Sequence, residues 1–533
     1  MDQAVRRASP QLPGWPAELP PIVVERTQNP AHGDYSITLP LKLAKTLRRP
    51  PPVIANELAT AITLPAGFGT VAVAPPGFIN LTLSPQWLQA QLTPVVNAGA
   101  EWGRGALGQG RTVQVEFVSS NPTGPMLFSH ARGAVVGDVI ARILEAAGYS
   151  VQREYYVNDY GKQVRLFGDS ISARMQGRPP PEGGYSGEYI TEIAGQARAS
   201  GVGNDPAALA SFGMTWVKAG IEKDLDRLKV SHDLWFYENT LYQGLNTEIL
   251  QRLREQGRII EREGAVWFKS DSGKDEVVIR RDGYPTYFAS DIFYHYDKLE
   301  VRRFERVVDV WGADHQGQIG RLKEALGTLG VDPERLAILL IQLVSVKRGT
   351  ESVRMSRRAG VGISLKEMLD EVGPDALRYF FLLRSADAQM EFDVDLARRQ
   401  SNENPVYYAQ YAHARLANVL NYGASAHPSP SGGGQGGGDA QLERLDTEWE
   451  LELMRVMLRW PDVVREAAQA LEPHRLAFFT DELATAIHRF YVNCRVVTDD
   501  QGLTAARLLL SRAARTTIAN ALGLMGVSAP ERM

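Results

Sequence analysis

Residues 112–157 read TVQVEFVSSNPTGPMLFSHARGAVVGDVIARILEAAGYSVQREYYV, and this stretch decides the fold class. Thr112–Val118 is rich in valine, with threonine and phenylalanine, the composition of a strand. Ser119–Pro125 then supplies serine, asparagine, proline and glycine, which turn a chain rather than extend it. From His130 to Ala147 the apolar positions Val135, Val139, Ile140, Ile143 and Leu144 recur with helical spacing, and Gly148 stands where a helix would end. Ser150–Val157 reads as another strand. Strand, turn, helix and strand in that order predict parallel strands joined by a right-handed connection.

A second unit of the same kind lies downstream. Arg306–Trp311 reads as a strand, Gly312–Gln318 as a polar turn, Ile319–Leu329 as a helix and Ala337–Val346 as an apolar strand. Between the two units lie about 150 residues of mostly helical pattern, including Met214–Leu228 with Ile221, Leu225 and Leu228 on one face. The expectation is a Rossmann-type parallel-sheet domain over 109–400, in two halves split by a helical insertion at about 170–280. Residues 1–108 read as a small separate α/β domain. Helical stretches at Leu41–Thr46 and Val53–Ile62 flank the Arg49-Pro50-Pro51-Pro52 stop. Thr70–Ala74 and Phe78–Leu83 alternate like strands about Pro75-Pro76-Gly77. Residues 401–533 read as all helix, interrupted by the Gly- and Ser-rich Ala424–Ala440, a flexible surface loop.

Bulk numbers fit a multidomain chain of 533 residues, too long for one core, with 44% hydrophobic and 23% charged residues. No run approaches the apolar length of a membrane span, and Arg6 and Arg7 are followed by no apolar leader. The single cysteine, Cys494, excludes intramolecular disulfides and thiolate clusters, so a reducing, cytoplasmic setting is expected and structural zinc is not. The formal charge of −4 excludes a general polyanion coat; any nucleic acid must be met by local basic and aromatic patches.

Two segments carry chemistry. In Val115–Arg132, VEFVSSNPTGPMLFSHAR, a strand ends in a Pro/Gly-rich turn that opens a helix, and backbone N–H groups with the positive helix end attract anions there. Glu116 and Asn121 flank it with groups able to hold an amine and a carboxylate. Many α/β proteins carry such a unit with no ligand, and that reading stays open for this segment alone. In Val346–Gly362, VKRGTESVRMSRRAGVG, five cations (Lys347, Arg348, Arg354, Arg357 and Arg358) surround Met355-Ser356 between glycines. A Gly-hinged cationic loop suits a lid over a triphosphate; a solvated basic loop is the plainer reading.

Taken together, the two segments resemble the HIGH and KMSK signatures of class I aminoacyl-tRNA synthetases in order and separation. VEFVSSNPTGPM, Tyr155–Gln163 (YYVNDYGKQ), Tyr284–Ile292 (YPTYFASDI), Trp311–Gln318 (WGADHQGQ) and Met355–Gly360 (MSRRAG) are similar to blocks of the arginyl-tRNA synthetase family, as is the end of the chain from Arg507. The resemblance implies a small N-terminal α/β domain that recognises tRNA, a Rossmann-type catalytic domain with its insertion, and a C-terminal helical anticodon-binding bundle. It implies ligation of L-arginine to tRNA(Arg) through arginyl-adenylate at the expense of ATP, with Mg²⁺ arriving on the nucleotide and activation dependent on bound tRNA. A monomer is expected.

By the same resemblance Pro122, Thr123, Gly124, Pro125, Leu127, Ser129 and His130 lie against ATP. His130 is also catalytic, with Arg354, Met355, Ser356, Arg357 and Arg358. Glu116, Ser119 and Asn121 hold the α-amino and α-carboxyl groups of arginine. Tyr287 and Asp291, one helical turn apart, hold the guanidinium, with His315 standing near where the family often places glutamine. Tyr408, Tyr411, Tyr491 and Met533 match tRNA-facing positions; by pattern alone, the stripe Tyr407, Tyr408, Tyr411, His413 and Arg415 is equally a core face. One departure stands out. Leu127 occupies the place of the first signature histidine and Ser129 that of the glycine, which implies weakened or rearranged ATP contact. Two alternatives follow: a class I synthetase-like paralogue that binds RNA, and a nucleotidyl transferase for a small molecule. The helical region after Ser401 speaks against the second.

Overall fold

The computed structural model describes residues 2–12, 14–16, 18–27, 29–349, 351–353, 362–426 and 440–533. At the N-terminus, β1 (Val24–Arg26), β2 (Tyr35–Ile37), β3 (Gly69–Ala74) and β4 (Phe78–Leu83) form an antiparallel sheet ordered β1-β2-β4-β3. Helices Leu39–Leu47 and Pro51–Ala61 cover it, each with proline in the first turn, where a missing N–H costs nothing. Ile37, Leu43, Leu58 and Ile79 are among the side chains closing its core. Asp34 reaches out to Arg455 at 3.0 Å and ties this domain to the C-terminal helices.

The central domain contains β5 (Thr112–Glu116), β6 (Ser150–Val157), β7 (Leu234–Tyr237), β8 (Ile259–Arg262), β9 (Ala265–Phe268), β10 (Glu276–Ile279), β11 (Arg306–Gly312), β12 (Leu336–Ile341), β13 (Val344–Arg348), β14 (Glu351–Val353) and β15 (Met390–Asp393). Its main sheet is parallel throughout and ordered β12-β11-β5-β6-β7. The two sequence units therefore meet at β5 and β11, and the chain leaves that seam in opposite directions. Such a switch point opens a crevice beyond the carboxyl ends of the two strands. Strand β5 stops at Glu116 because Val118 and Ser119 turn left-handed, at φ 73° and 41°. The helix Phe128–Ala146 packs so close beneath this exit that a Cβ on Gly137 would lie 2.2 Å from the Phe117 ring.

Two differences from the sequence reading have physical causes. The segment between the units is not all helix. It supplies helices Lys162–Met175, Glu188–Ala199 and Pro206–Arg227, but also β7 at the main sheet's edge and a separate antiparallel sheet β10-β9-β8. Four-residue strands carrying exposed charges, such as Glu261 and Arg262, leave little periodic signal. The apolar run Ala337–Val346 is two strands, broken at Gln342-Leu343, because β13 leaves the main sheet to pair with β14 and β15. Beyond Ser401 the chain is helical as expected, with helices Pro405–Ala426, Glu448–Met457, Trp460–Ala470, His474–Asn493 and Gln501–Leu524; residues 427–439 of the Gly-rich loop lie outside those described. No helix among the described residues is long and apolar enough to cross a membrane.

Candidate active site

The turn after β5 is strained and held. A β-branched residue with positive φ is costly, on the order of 1–3 kcal/mol, and Val118 is followed by a second non-glycine residue with positive φ, Ser119. Ser119 Oγ donates to Glu116 Oε1 at 2.8 Å and accepts from the Tyr156 N–H at 3.1 Å. The Tyr155 hydroxyl, buried against Trp235, donates to the Ser120 carbonyl at 2.8 Å. Further on, Pro122 and Thr123 are buried, and the Tyr189 hydroxyl from the insertion donates to the Thr123 carbonyl at 2.9 Å beside Gly124. Pro125 and Asn121 are exposed at the lip.

The helix that follows presents its N-terminus to this turn. The Leu127 N–H donates to His130 Nδ1 at 3.3 Å. Nδ1 is therefore the unprotonated nitrogen of a neutral ring and Nε2 carries the hydrogen, the tautomer able to donate to an anion. Ser129 lies half-buried in the first turn. Leu127, where an imidazole was expected, has its methyl groups against Gly362: a Cβ there would be 3.0 Å from Leu127 Cδ2. Two backbone bonds, Phe128 N–H to Ile363 O and Leu365 N–H to Met126 O, both 2.9 Å, join the same segments. The first signature is thus clipped to the exit of the second. Arg354, Met355, Ser356, Arg357 and Arg358 lie outside the described residues. Lys347 and Arg348 both sit on β13, where Lys347 lies 3.5 Å from Asp393 and Arg348 grips Glu371 at 2.9 and 2.6 Å.

Across the crevice, helix Tyr287–Tyr296 carries Tyr287 and Asp291, and its N-cap Thr286 accepts from the Ala289 N–H at 3.3 Å. Tyr287 is 50% exposed, and burial of its hydroxyl end raises its pKa against a hydrogen bond from Asn158. Burial pushes the Asp291 carboxyl up to about 7; His295 opposes the rise, and the nearby Glu116 and Asp309 add to it. Sequence reasoning missed a further acid, Glu238. It accepts from the Tyr242 hydroxyl at 2.6 Å, from Ser290 Oγ at 3.0 Å and from the Asn158 amide at 3.0 Å, and burial raises its pKa. Glu238 and Asn158 immediately follow β7 and β6, so the carboxyl ends of the strands were the available signal. Burial raises the pKa of the Tyr156 hydroxyl, and the charges of Glu238, Tyr242, Asp291 and Glu116 add to the rise. His315 stands exposed on the turn after β11, its ring 5.7 Å from that of Trp311.

The turn presents groups that suit an anion and the acids beside it suit a cation, and family comparison bears on both. Three family profiles match: the arginyl tRNA synthetase N terminal domain over residues 1–83, the class I (R) tRNA synthetase catalytic domain over 92–177 and 214–395, and the DALR anticodon binding domain over 409–533. The chain belongs to the arginyl-tRNA synthetase family. It is 44% identical to an arginine–tRNA ligase of Dehalococcoides mccartyi (strain CBDB1), covering 100% of this chain and 98% of that one. It is 45% identical to one of Moorella thermoacetica, covering 97% and 94%. The fold matches the structure of Thermus thermophilus arginyl-tRNA synthetase with a TM-score of 0.78 at 23% identity, covering 100% of this chain and 99% of that chain.

In this synthetase-family chain the tyrosines of the C-terminal domain divide by environment. His413 is buried and belongs to the core. Tyr408 packs its ring against His488 at 4.4 Å, and its carbonyl bonds His488 Nε2 at 3.2 Å. Tyr411 lies farther from His488, at 5.8 Å, and stacks on Tyr407 at 5.9 Å, with the Arg415 guanidinium 4.3 Å from its ring and 4.8 Å from that of Tyr491. Met533 is half exposed and lines, with Tyr407, a cavity of about 460 Å³ between the catalytic and helical domains.

Proposed function

We propose that the chain joins L-arginine to tRNA(Arg) in two steps. The arginine carboxylate attacks the α-phosphorus of ATP and pyrophosphate leaves. The 2′-hydroxyl of the terminal tRNA adenosine then attacks the arginyl carbonyl and AMP leaves. The observation that carries this reading is the strained turn after β5 that opens the helix Phe128–Ala146 at the switch point of one parallel sheet, with the buried carboxyls of Glu116 and Glu238 at the carboxyl ends of β5 and β7. Catalysis is positioning and charge stabilisation. Glu116, Ser119 and Asn121 receive the α-amino and α-carboxyl groups; Tyr287 and Asp291, with His315 at the mouth, receive the guanidinium. Residues 122–125, Leu127, Ser129 and His130 line the ATP phosphates and adenine, with His130 donating from Nε2. Arg354, Met355, Ser356, Arg357 and Arg358 close over the triphosphate.

Mg²⁺ fits as a cargo of the phosphates. Among the described residues no three acid, histidine or cysteine side chains form a ready cage, and Mg²⁺ keeps most of its waters in nucleotide sites. When bound it shields phosphate charge. The domains are taken as 1–108, 109–400 and 401–533, with Tyr408, Tyr411, Tyr491 and Met533 toward tRNA, in a monomer of the cytoplasm. Arginine-dependent pyrophosphate exchange in the presence of tRNA(Arg) tests the reading. Exchange is expected; its absence at saturating arginine and tRNA overturns the enzyme and leaves an RNA-binding paralogue.

Two further results are expected. The double change Leu127→His, Ser129→Gly restores a donor at the phosphate turn and removes a side chain under the adenine, and exchange should rise about tenfold, equivalent to about 1.4 kcal/mol. An unchanged or slower rate would mean that packing of Leu127 on Gly362 has taken over the role. On the tRNA side, Tyr411→Ala should weaken charging by roughly 1–3 kcal/mol, about 5- to 150-fold, with little change in Tm. Tyr408→Ala, which empties a contact with His488, should lower Tm instead; the reverse pattern sinks this assignment of the two tyrosines.

A further inference from the structure

Behind the arginine pocket the main sheet carries a row of buried acids. Asp309 on β11, Glu116 on β5 and Glu154 on β6 are register partners in adjacent parallel strands. Neighbouring strands lie about 4.8 Å apart, and these side chains are 0%, 6% and 0% exposed. Carboxylates so placed in a low-dielectric interior repel one another and take up protons unless cations answer them. The sheet itself has no need of them, since valine or isoleucine fills such positions without electrostatic cost.

One helix and its π-turn, Asp297–Val301, answer the whole row. His295 Nε2 bonds Asp309, and its Nδ1 donates to the Asp291 carbonyl at 2.6 Å. Lys298 Nζ donates to Asp309 Oδ1 at 2.9 Å and to Glu116 Oε2 at 2.7 Å. Arg302 grips Glu154 at 2.5 and 2.9 Å. Burial alone would strip the proton from Lys298, but Asp309 and Glu116 more than offset it and its pKa is raised. Burial likewise pushes Glu116 up; Lys298 is the main influence pulling it back, while Asp309 adds to the rise. A buried ion cluster is weak grounds for stability, because apolar residues of similar volume serve as well or better. What the cluster supplies is a charge at Glu116.

We propose that Lys298 is a positioning residue for the amino-acid substrate: held inside the sheet–helix interface, it keeps Glu116 an ionised carboxylate whose Oε1, already bonded to Ser119, receives the α-ammonium group. This rests on the reading of Glu116 as a ligand of arginine. Besides Lys298 and Glu116, the titratable groups around the site are Asp309, His295, Glu154, Arg302, Tyr294 and Asp291.

The test is tRNA-dependent exchange with the full chain carrying Lys298→Met, Glu116→Gln or both. Lys298→Met should raise the arginine KM about tenfold or more and leave the ATP KM within about twofold. Its excess over the parent should shrink as pH rises, because Glu116 then ionises without help. In the Glu116→Gln background Lys298→Met should add nothing further. An equal rise in both KM values, or a full additional loss in that background, overturns the inference. If Lys298→Met is too unstable to assay, Lys298→Gln decides. It keeps a hydrogen-bond donor between Asp309 and Glu116 but no charge, so the arginine KM should still rise about tenfold, and a KM within about threefold of the parent overturns the inference. Exchange by the parent separates the two failures: a parent without exchange overturns the functional reading and this inference with it, whereas an active parent with an unselective Lys298→Met overturns the inference alone.

Discussion

Asp291→Asn is expected to raise the arginine KM by roughly a hundred- to several-thousand-fold while the ATP KM stays within a few-fold. A guanidinium keeps its charge at any accessible pH, so on leaving bulk water it must find a carboxylate that accepts its paired N–H donors. Removing one member of a buried ion pair costs roughly 3–5 kcal/mol. Glu238 stands nearby but already accepts from Tyr242, Ser290 and Asn158, which leaves it few lone pairs for a second role. The raised pKa of Asp291 adds a pH signature. Burial lifts the carboxyl from 3.8 to about 7, so the empty pocket takes up a proton as pH falls through 7 and arginine must displace it. The parent's arginine KM should therefore rise below about pH 7, and the variant's should not. The linkage to stability runs the other way. A carboxyl whose folded pKa lies above its unfolded one favours the fold only while protonated, and that contribution is lost as pH rises through about 7. Without arginine, Asp291→Asn should thus melt higher than the parent at pH 8. An arginine KM within a few-fold of the parent would remove Asp291 from the guanidinium site.

The contrast between what the sequence disclosed and what it hid follows from the physics of each feature. The unit β5, turn, helix, β6 was legible because strand and helix differ in period and the turn is written in Pro, Gly and Asn. The spacing of Tyr287 and Asp291 put them on one helical turn, but only the resemblance assigned them to the guanidinium. The acid row was not. Asp309, Glu116 and Glu154 lie in three segments far apart in sequence, and only the strand register brings them side by side. Lys298 looked like any lysine at a helix end, where such residues usually snorkel into solvent; the π-turn holds it fully inside instead. Glu238 was hidden because β7 is four residues long and joins the sheet from within the insertion. Leu127 was read as a loss of ATP contact, and its contact with Gly362 could not be foreseen, since the two positions are joined only through a backbone bridge formed on folding.

Arg378→Met is expected to destabilise the chain by about 3–5 kcal/mol and to loosen the C-terminal helices from the catalytic domain. Arg378, on the helix Leu365–Phe381, is fully enclosed. Its guanidinium donates to the Met525 carbonyl at 2.6 Å, to the Leu228 and Lys229 carbonyls at 2.9 and 3.2 Å, and to Asp138. These partners belong to the end of the last helix, the end of the insertion's helix Pro206–Arg227 and the signature helix Phe128–Ala146. Burial lowers the arginine's pKa, with Asp138 opposing, yet a guanidinium does not neutralise, so its desolvation must be met by bonds. Methionine fills similar volume but leaves three carbonyls without that donor and Asp138 dependent on Arg142 alone. Arg378→Lys should fare nearly as badly, since one ammonium cannot span the fork of acceptors. Gly526→Ala approaches the same point from the other side. That glycine has φ 69°, and an added Cβ would lie 2.4 Å from the guanidinium. Chemical denaturation measures all three variants. A midpoint unchanged in Arg378→Met would show that the domains are held together by their apolar contacts alone, whereas a drop shared by Arg378→Met and Gly526→Ala, with arginine KM unmoved, places the junction's role in holding tRNA-binding and catalytic parts in one frame.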